Sequence, residues 1–167
     1  MAAARGRGSA LRRAIQAAVG AGVALERLDE TLLQLIPFTG YARAINAFAV
    51  LQELAPHAPR SAAGRGSARR RRGESLCRRI YGPVYGKMIA RMRGFHPDLA
   101  DWILEDGYGK VLSRSILSVV ERELLVVAVL GTLDVPAQLE SHRRGAERVG
   151  AAPGQIRAML RLGRGRP

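Results

Sequence analysis

The chain has 167 residues, of which 47% are apolar and only 5% aromatic. That length allows one ordinary domain, and an alanine-rich aliphatic core favours helices over a β-sandwich. The net charge is +13, and 25 of the 27 basic residues are arginine because only Lys87 and Lys110 are lysines. The single cysteine, Cys77, excludes an internal disulfide. No apolar run is long enough to span a bilayer, so no membrane partner is expected.

The positive charge is clustered at both ends of the chain and in one internal segment. Fifteen arginines there exceed the whole net charge, so the rest of the chain is close to neutral. We therefore assign the basicity to tails and a linker rather than to a folded binding surface, and we expect no specific nucleic-acid partner. These arginines are Arg5, Arg7, Arg12, Arg13, Arg60, Arg65, Arg69, Arg70, Arg71, Arg72, Arg78, Arg79, Arg161, Arg164 and Arg166.

The first half of the chain predicts two helical segments. Residues 11–35 carry leucines and isoleucine at helical spacing, interrupted by glycines around residue 21. "IPFTG" (residues 36–40) predicts a turn, because Pro37 stops a helix. Residues 41–54 then form a helix. Its predicted core side consists of Ile45, Phe48, Ala49 and Leu51.

Three segments have the composition of flexible chain. Residues 1–10 are predicted as a basic tail, and residues 163–167 as a second tail. Between them, residues 56–75 are rich in arginine, glycine, serine and alanine and lack apolar periodicity, which is typical of a linker.

The second half predicts a series of helices and no strand, so the fold class is an all-α helical bundle. The sequence "SVVE" at residues 118–121 is a capping box that opens a helix running to about Leu133. The other helices are predicted within residues 81–93, 97–111 and 136–149, and from Pro153 onward.

Two consecutive helices each direct one ionisable residue towards the core. Glu123 shares a helical stripe with Val126 and Leu130, whereas Glu121 and Arg122 are explained by capping and solvent. His142 lies on the apolar face of the next helix. A short turn between antiparallel helices can bring the two side chains together as an acid/base pair. The alternative is a hydrogen-bonded core histidine and a glutamate that serves only the helix dipole.

The stretches "ERELLVVAVL" (121–130) and "HRRGAERVGA" (142–151) resemble the carboxymuconolactone decarboxylase family, which includes the alkylhydroperoxidase D-like proteins. The matching residues are Arg122-Glu123-Leu124, His142, Gly145-Ala146 and Gly150-Ala151. The likeness covers most of residues 78–160, and we predict a family unit at residues 76–162. It implies an alkylhydroperoxidase D-like bundle that assembles as a homo-oligomer.

The peroxidase branch of that family carries a Cys-x-x-Cys ahead of the histidine. Here Val135 and Gln138 occupy those positions, and Cys77 has no resolving partner, so thiol peroxidase chemistry is not expected. The resemblance is closer to the decarboxylase branch, which acts on a carboxylated lactone in aromatic-compound breakdown without a metal or other cofactor. It implies that His142 transfers the proton and Glu123 orients it. Gln138 would hydrogen-bond the substrate, and Arg143 would attract an anion. The scattered histidines have no metal-ligand spacing.

Residues 11–55 resemble the closing part of the same family domain, yet they come first in the chain. Either the parent is a tandem protein truncated at both ends, or residues 11–54 dock on residues 76–160 and complete one domain in permuted order. We favour docking, within one subunit or by swapping, because apolar helix faces need partners.

Three functions remain open from the sequence. The first is a decarboxylase-like enzyme acting on a small molecule, and the second is a non-catalytic helical scaffold. The third, an alkylhydroperoxidase-like antioxidant, is disfavoured by the missing cysteines. We expect a cytoplasmic protein, with a signal or transit segment at the N-terminus as the alternative.

Overall fold

The computed structural model describes residues 1–6, 8–56 and 68–165, and within these ranges it contains helices and no strand. The all-α prediction is confirmed. The helices are α1 (Gly8–Gly20), α2 (Leu25–Leu33), α3 (Ile36–Leu54), α4 (Ala68–Tyr81), α5 (Tyr85–Phe95), α6 (Leu99–Trp102), α7 (Val119–Leu133), α8 (Pro136–Arg148) and α9 (Pro153–Arg164), with a 3₁₀ turn at Gly82–Val84 and a π-helix at Ile103–Leu112. None of the described helices has the length and hydrophobicity needed to cross a bilayer.

Helix α7 lies at the centre of the fold. Eight of its residues between Arg122 and Leu130 are buried, as expected for a helix that is apolar on nearly all sides. The predicted capping box is present: the Ser118 hydroxyl accepts from the amide of Glu121, and the Glu121 carboxylate accepts from the amide of Ser118 at 2.8 Å. Helices α8 and α9 pack on one side of α7, and α1–α3 pack near Val129 on another.

The turn between α7 and α8 is tight. Asp134 adopts the left-handed conformation (φ 56°), and Pro136 occupies the first turn of α8. This geometry makes α7 and α8 a helical hairpin, and α8 buries His142, Gly145 and Ala146. The local structure therefore places the histidine face of α8 against α7, as the sequence predicts.

Helix α4 corrects the prediction of a linker over residues 56–75. The helix begins at Ala68 and includes the arginine run, while residues 57–67 lie outside the described part of the chain. A Cβ on Gly73 would lie 1.9 Å from the carbonyl oxygen of Leu104, and a Cβ on Gly109 would lie 2.3 Å from that of Arg69. The two glycines thus let α4 and the π-helix touch through their backbones, which composition alone does not reveal.

The two predicted tails also pack in part. Ala3 and Ala4 are buried in the same cluster as Leu51, and Arg5 donates to the carbonyl of Gly163 at 2.7 Å. Gly163 is itself buried at the end of α9. The prediction of a flexible tail over residues 1–10 is therefore wrong for the described residues at its start.

Helix α3 begins earlier than predicted. Pro37 lies in its first turn. Gly40, where φ is 77°, interrupts the helix just before the predicted start at residue 41. The buried side consists of Ala44, Ala47 and Leu51, whereas Ile45 is 62% exposed. The small alanines face the partner helices because they allow close approach, and the bulkier Ile45 points outward.

The N-terminal helices dock on the rest of the chain. Helix α2 buries its Glu30 carboxylate, which accepts hydrogen bonds from Arg122 (2.7 Å) and Arg114 (2.6 Å). The Gln34 amide accepts from Arg122 at 3.1 Å and donates to the backbone carbonyl of that residue. This packing corresponds to the docking alternative within a single chain. The division of the sequence into family units stays a prediction.

Candidate functional site

Glu123 of α7 and His142 of α8 form a buried pair. The Nδ1 atom of His142 lies 2.9 Å from Oε2 of Glu123. Glu123 has no exposed surface, and His142 is 7% exposed. The structure therefore brings together the two residues that helical periodicity directs to the core.

Gly145 makes room for the pair one turn after His142. A Cβ at this position would lie 2.8 Å from Oε2 of Glu123 and 2.7 Å from Cγ2 of Ile80. Any larger residue would push the carboxylate or α4 away, so the close approach of α8 to α7 depends on this glycine.

Aromatic side chains from two other segments contact the imidazole, and a third aromatic residue lies behind them. The rings of Phe38 and Tyr81 contact the His142 ring edge-on, at centroid distances of 6.0 and 6.2 Å. The Tyr108 hydroxyl donates to the hydroxyl of Tyr81 at 3.3 Å. Phe38 comes from α3, so the N-terminal segment contributes to the niche. The sequence gives no signal for that contribution, because Phe38 sits in the presumed turn.

Three other groups in this niche, Cys77, Tyr81 and Tyr108, have raised pKa values and are neutral at pH 7. Burial, together with the nearby Glu123 charge, raises the pKa of the Cys77 thiol to about 12. Burial likewise raises the pKa of Tyr81 to about 12, and the pKa of Tyr108 lies well above its usual value for the same reason. Cys77 is therefore a protonated thiol at neutral pH, which is the opposite of a reactive peroxidase cysteine.

The pair has unused hydrogen-bonding capacity. Oε1 of Glu123 is buried and has no hydrogen-bond partner among the described residues. With Glu123 ionised, Nδ1 of His142 carries the proton, which leaves Nε2 as the nitrogen that can accept or donate one. An imidazole oriented in this way by a carboxylate is suited to general acid/base chemistry.

The structure does not bring the other two predicted site residues to the pair. Gln138 is exposed on α8. Arg143 donates to Glu140 at 2.7 Å and to Glu147, both on its own helix. Hydrogen bonds from Arg143 and its neighbour Arg144 hold the pKa of Glu140 at about 2. A role of Gln138 and Arg143 in substrate binding stays a prediction.

Arg122 is the main residue that sequence reasoning misplaced. Only 2% exposed, it lies between Glu30 and Gln34 rather than in solvent. Burial opposes ionisation of Glu30, but hydrogen bonds from Arg114 and Arg122 outweigh it and lower the pKa of that carboxyl. One feature of the sequence could have predicted the burial of Arg122: it lies directly before Glu123 on a helix that is apolar on nearly all sides.

Two open cavities, of about 760 and about 300 Å³, occur in the described part of the chain. Neither has His142 or Glu123 in its walls. Among the described residues, no cluster of three or more His, Cys, Asp or Glu side chains could hold a metal ion. The pair is therefore buried and lines neither of these two cavities.

The fold and this site define a class: an all-α bundle in which a helical hairpin buries a glutamate–histidine pair. The model of the carboxymuconolactone decarboxylase family matches residues 97–164, which contain both residues of the pair. The predicted resemblance to the carboxymuconolactone decarboxylase family is thus confirmed for residues 97–164.

Two curated relatives are similar over most of the chain. Peroxisomal protein 2 of Schizosaccharomyces pombe is 32% identical over 138 residues, which cover 78% of this chain and 63% of the relative. Peroxisomal protein 2 of Saccharomyces cerevisiae is 28% identical over 166 residues, which cover 81% of this chain and 59% of the relative. The chain thus spans about three fifths of the length of these relatives. No solved structure matches it.

These relatives correct one expectation. Absence of an apolar span and of disulfides led us to expect a cytoplasmic protein, but both relatives are named as peroxisomal proteins. The cytoplasmic prediction is contradicted. Neither absence distinguishes the cytosol from the interior of an organelle, so composition could not have decided the point.

Proposed function

We propose that the Glu123–His142 pair is a cofactor-free acid/base site for a small carboxylated substrate. The observation that carries the proposal is the buried carboxylate, with Oε2 on His142 and Oε1 lacking a partner among the described residues. Buried polar atoms are almost always satisfied, so an unpartnered one beside an oriented imidazole is suited to binding a ligand donor.

Decarboxylation of a carboxylated lactone is the reaction that the family resemblance favours. The bond between the ring carbon and the carboxylate breaks, carbon dioxide leaves, and the electron pair stays on the substrate as an enolate. The His142 imidazolium then donates its Nε2 proton to carbon, and solvent restores that proton. Glu123 acts as a positioning residue, because it fixes the ring and stabilises the imidazolium.

The test is a set of carboxylated lactones from aromatic-compound breakdown, assayed for carbon dioxide release. We expect the wild-type protein to be active. The rate of carbon dioxide release should fall at least about 100-fold in His142→Ala, in line with the usual contribution of a general acid or base. Glu123→Gln should displace the pH profile of the rate. Ser141→Ala, at an exposed neighbour on α8, is the matched control. Turnover that persists in His142→Ala would remove the imidazole from the mechanism.

A non-catalytic scaffold is the second candidate, and the closure of the niche favours it. His142 is only 7% exposed, and the two cavities lie elsewhere. In that case the pair would serve to hold α8 on α7. NMR of the His142 ring, with and without each lactone, separates the two functions: an enzyme requires ligand-induced shifts at this ring, whereas a scaffold shows none.

We propose a peroxisomal location, on the strength of the names of the two relatives. Imaging of the fluorescently tagged full-length protein against a peroxisomal marker tests it. We also propose a homo-oligomer. Large apolar side chains are exposed on α3 and on the α5–α6 region, which is typical of subunit contacts. They are Tyr41 (62%), Ile45 (62%), Phe95 (64%) and Trp102 (61%).

A further inference from the structure

The larger cavity, of about 760 Å³, lies between α4 and the segment that leads into α7. Its walls contain Arg71, Arg72 and Arg79 of α4 and, opposite them, Arg114, together with four serines and no acidic residue. The arginine run that composition assigned to a linker is thus one wall of a folded cavity. The volume lies within the range of about 300–1,000 Å³ that is usual for small-molecule sites.

The three α4 arginines in the cavity wall are available to a ligand. Arg71, Arg72 and Arg79 are exposed, and none of them forms an ion pair with a described residue. By contrast, Arg70 and Arg78 on the same helix are held by Asp101 and Glu74. Converging guanidinium groups without counter-charge repel each other, and a bound anion relieves that repulsion.

On the opposite wall, the charge of Arg114 is already compensated by its ion pair with Glu30, and apolar side chains also line this wall. Leu117, Val119 and Val120 give the cavity an apolar side, and the last two lie in the first turn of α7. A ligand that satisfies both walls has an anionic head and an apolar body. Because several guanidinium groups face one space, the head carries more than one negative charge, and planar guanidinium groups bind phosphate oxygens in pairs.

We propose that this cavity is a binding site for a small diphosphate ester with an apolar body. The diphosphate lies on Arg72 and Arg79, which are seven residues apart and so share one face of α4. The apolar body lies on the valines of α7. Val119 precedes Glu123 by four residues, about 6 Å along the helix. The site is nevertheless separate from the Glu123–His142 pair, and it stands whether or not that pair is catalytic.

Calorimetric titration of the full chain tests the proposal with three probes: geranyl diphosphate, inorganic pyrophosphate and a short RNA duplex. We expect saturable binding of both diphosphates, at least about tenfold tighter for the geranyl ester because its chain buries several methylene groups. The double variant Arg72→Gln/Arg79→Gln should bind both diphosphates at least tenfold more weakly. Arg157→Gln/Arg161→Gln on α9 removes the same charge from exposed positions and should leave binding unchanged.

Each other outcome overturns the site. Equal weakening by the two double variants would show general charge attraction rather than a cavity. Equal affinity for the geranyl ester and pyrophosphate would remove the apolar wall from the site. Binding of the RNA duplex alone would make the arginines a nucleic-acid surface, and no saturable binding at all would leave no ligand site. His142→Ala should bind geranyl diphosphate as wild type does, so loss of lactone turnover and loss of diphosphate binding are distinguishable.

Discussion

Replacing Glu30 with glutamine tests how the N-terminal helices are held to α7. Glu30 has no exposed surface and accepts hydrogen bonds from Arg122, which is 2% exposed, and from Arg114. Glutamine keeps the shape but removes the charge, so Arg122 is left buried without a counter-ion. Removing one partner of a buried pair costs about 3–5 kcal/mol, a large part of the stability of an ordinary domain.

The loss of unfolding free energy in Glu30→Gln can be measured by urea unfolding at several pH values, monitored by circular dichroism at 222 nm. The matched control is Glu53→Gln, because Glu53 pairs with Arg12 at the surface and its side chain is 60% exposed. Surface pairs contribute about 0–1 kcal/mol. We therefore expect a large loss of unfolding free energy for Glu30→Gln at pH 7 and almost none for Glu53→Gln.

The pH dependence follows from the lowered pKa of Glu30. The unfolded carboxyl binds protons at higher pH than the folded one, so the stabilisation is fully present above the unfolded pKa. It is lost as pH falls from about 4.5 through the lower folded pKa. The difference in unfolding free energy between wild type and Glu30→Gln should therefore become smaller as pH falls over that range. A Glu30→Gln protein as stable as Glu53→Gln at pH 7 would refute a structural role of this buried pair.

Three further perturbations test the site and the surface. Gly145→Ala places a Cβ 2.8 Å from Oε2 of Glu123, so we expect a loss of about 1–3 kcal/mol in urea unfolding and displaced His142 ring signals by NMR. Because burial raises the pKa of Cys77 to about 12, iodoacetamide should label the unfolded chain far faster than the native one, and Cys77→Ser should leave any peroxide turnover unchanged. Trp102→Glu, at a 61% exposed position, should reduce the mass measured by light scattering if α6 lies in a subunit contact; an unchanged mass would place the contact elsewhere.

The sequence predicts the hairpin of α7 and α8 well because its signals are local. The capping box at Ser118 and the helical period fix the start and the buried face of α7, and the same period points Glu123 and His142 at each other. The positions of Glu123 and His142 along their helices are enough to predict their contact, because a tight turn joins the two helices.

The remaining features depend on contacts that lie far apart in the chain. Arg122 looks like an exposed first-turn residue until Glu30, 92 positions earlier, is known to lie beside it. The arginine run looks like a linker until Gly73 meets the backbone of the π-helix. Phe38 reaches His142 only because α3 docks on the second half of the chain. Local periodicity and composition do not identify the distant partner in any of these contacts.

The contact between Glu30 and Arg122 has a consequence for the architecture of the chain. It joins two segments through their side chains, so it does not depend on the covalent path between residues 56 and 68. A polypeptide nicked in that interval should hold together, and the two pieces expressed separately should reassemble and protect each other from proteolysis. A variant in which the α1–α3 portion follows α9 instead of preceding α4 should therefore form the same contact between Glu30 and Arg122.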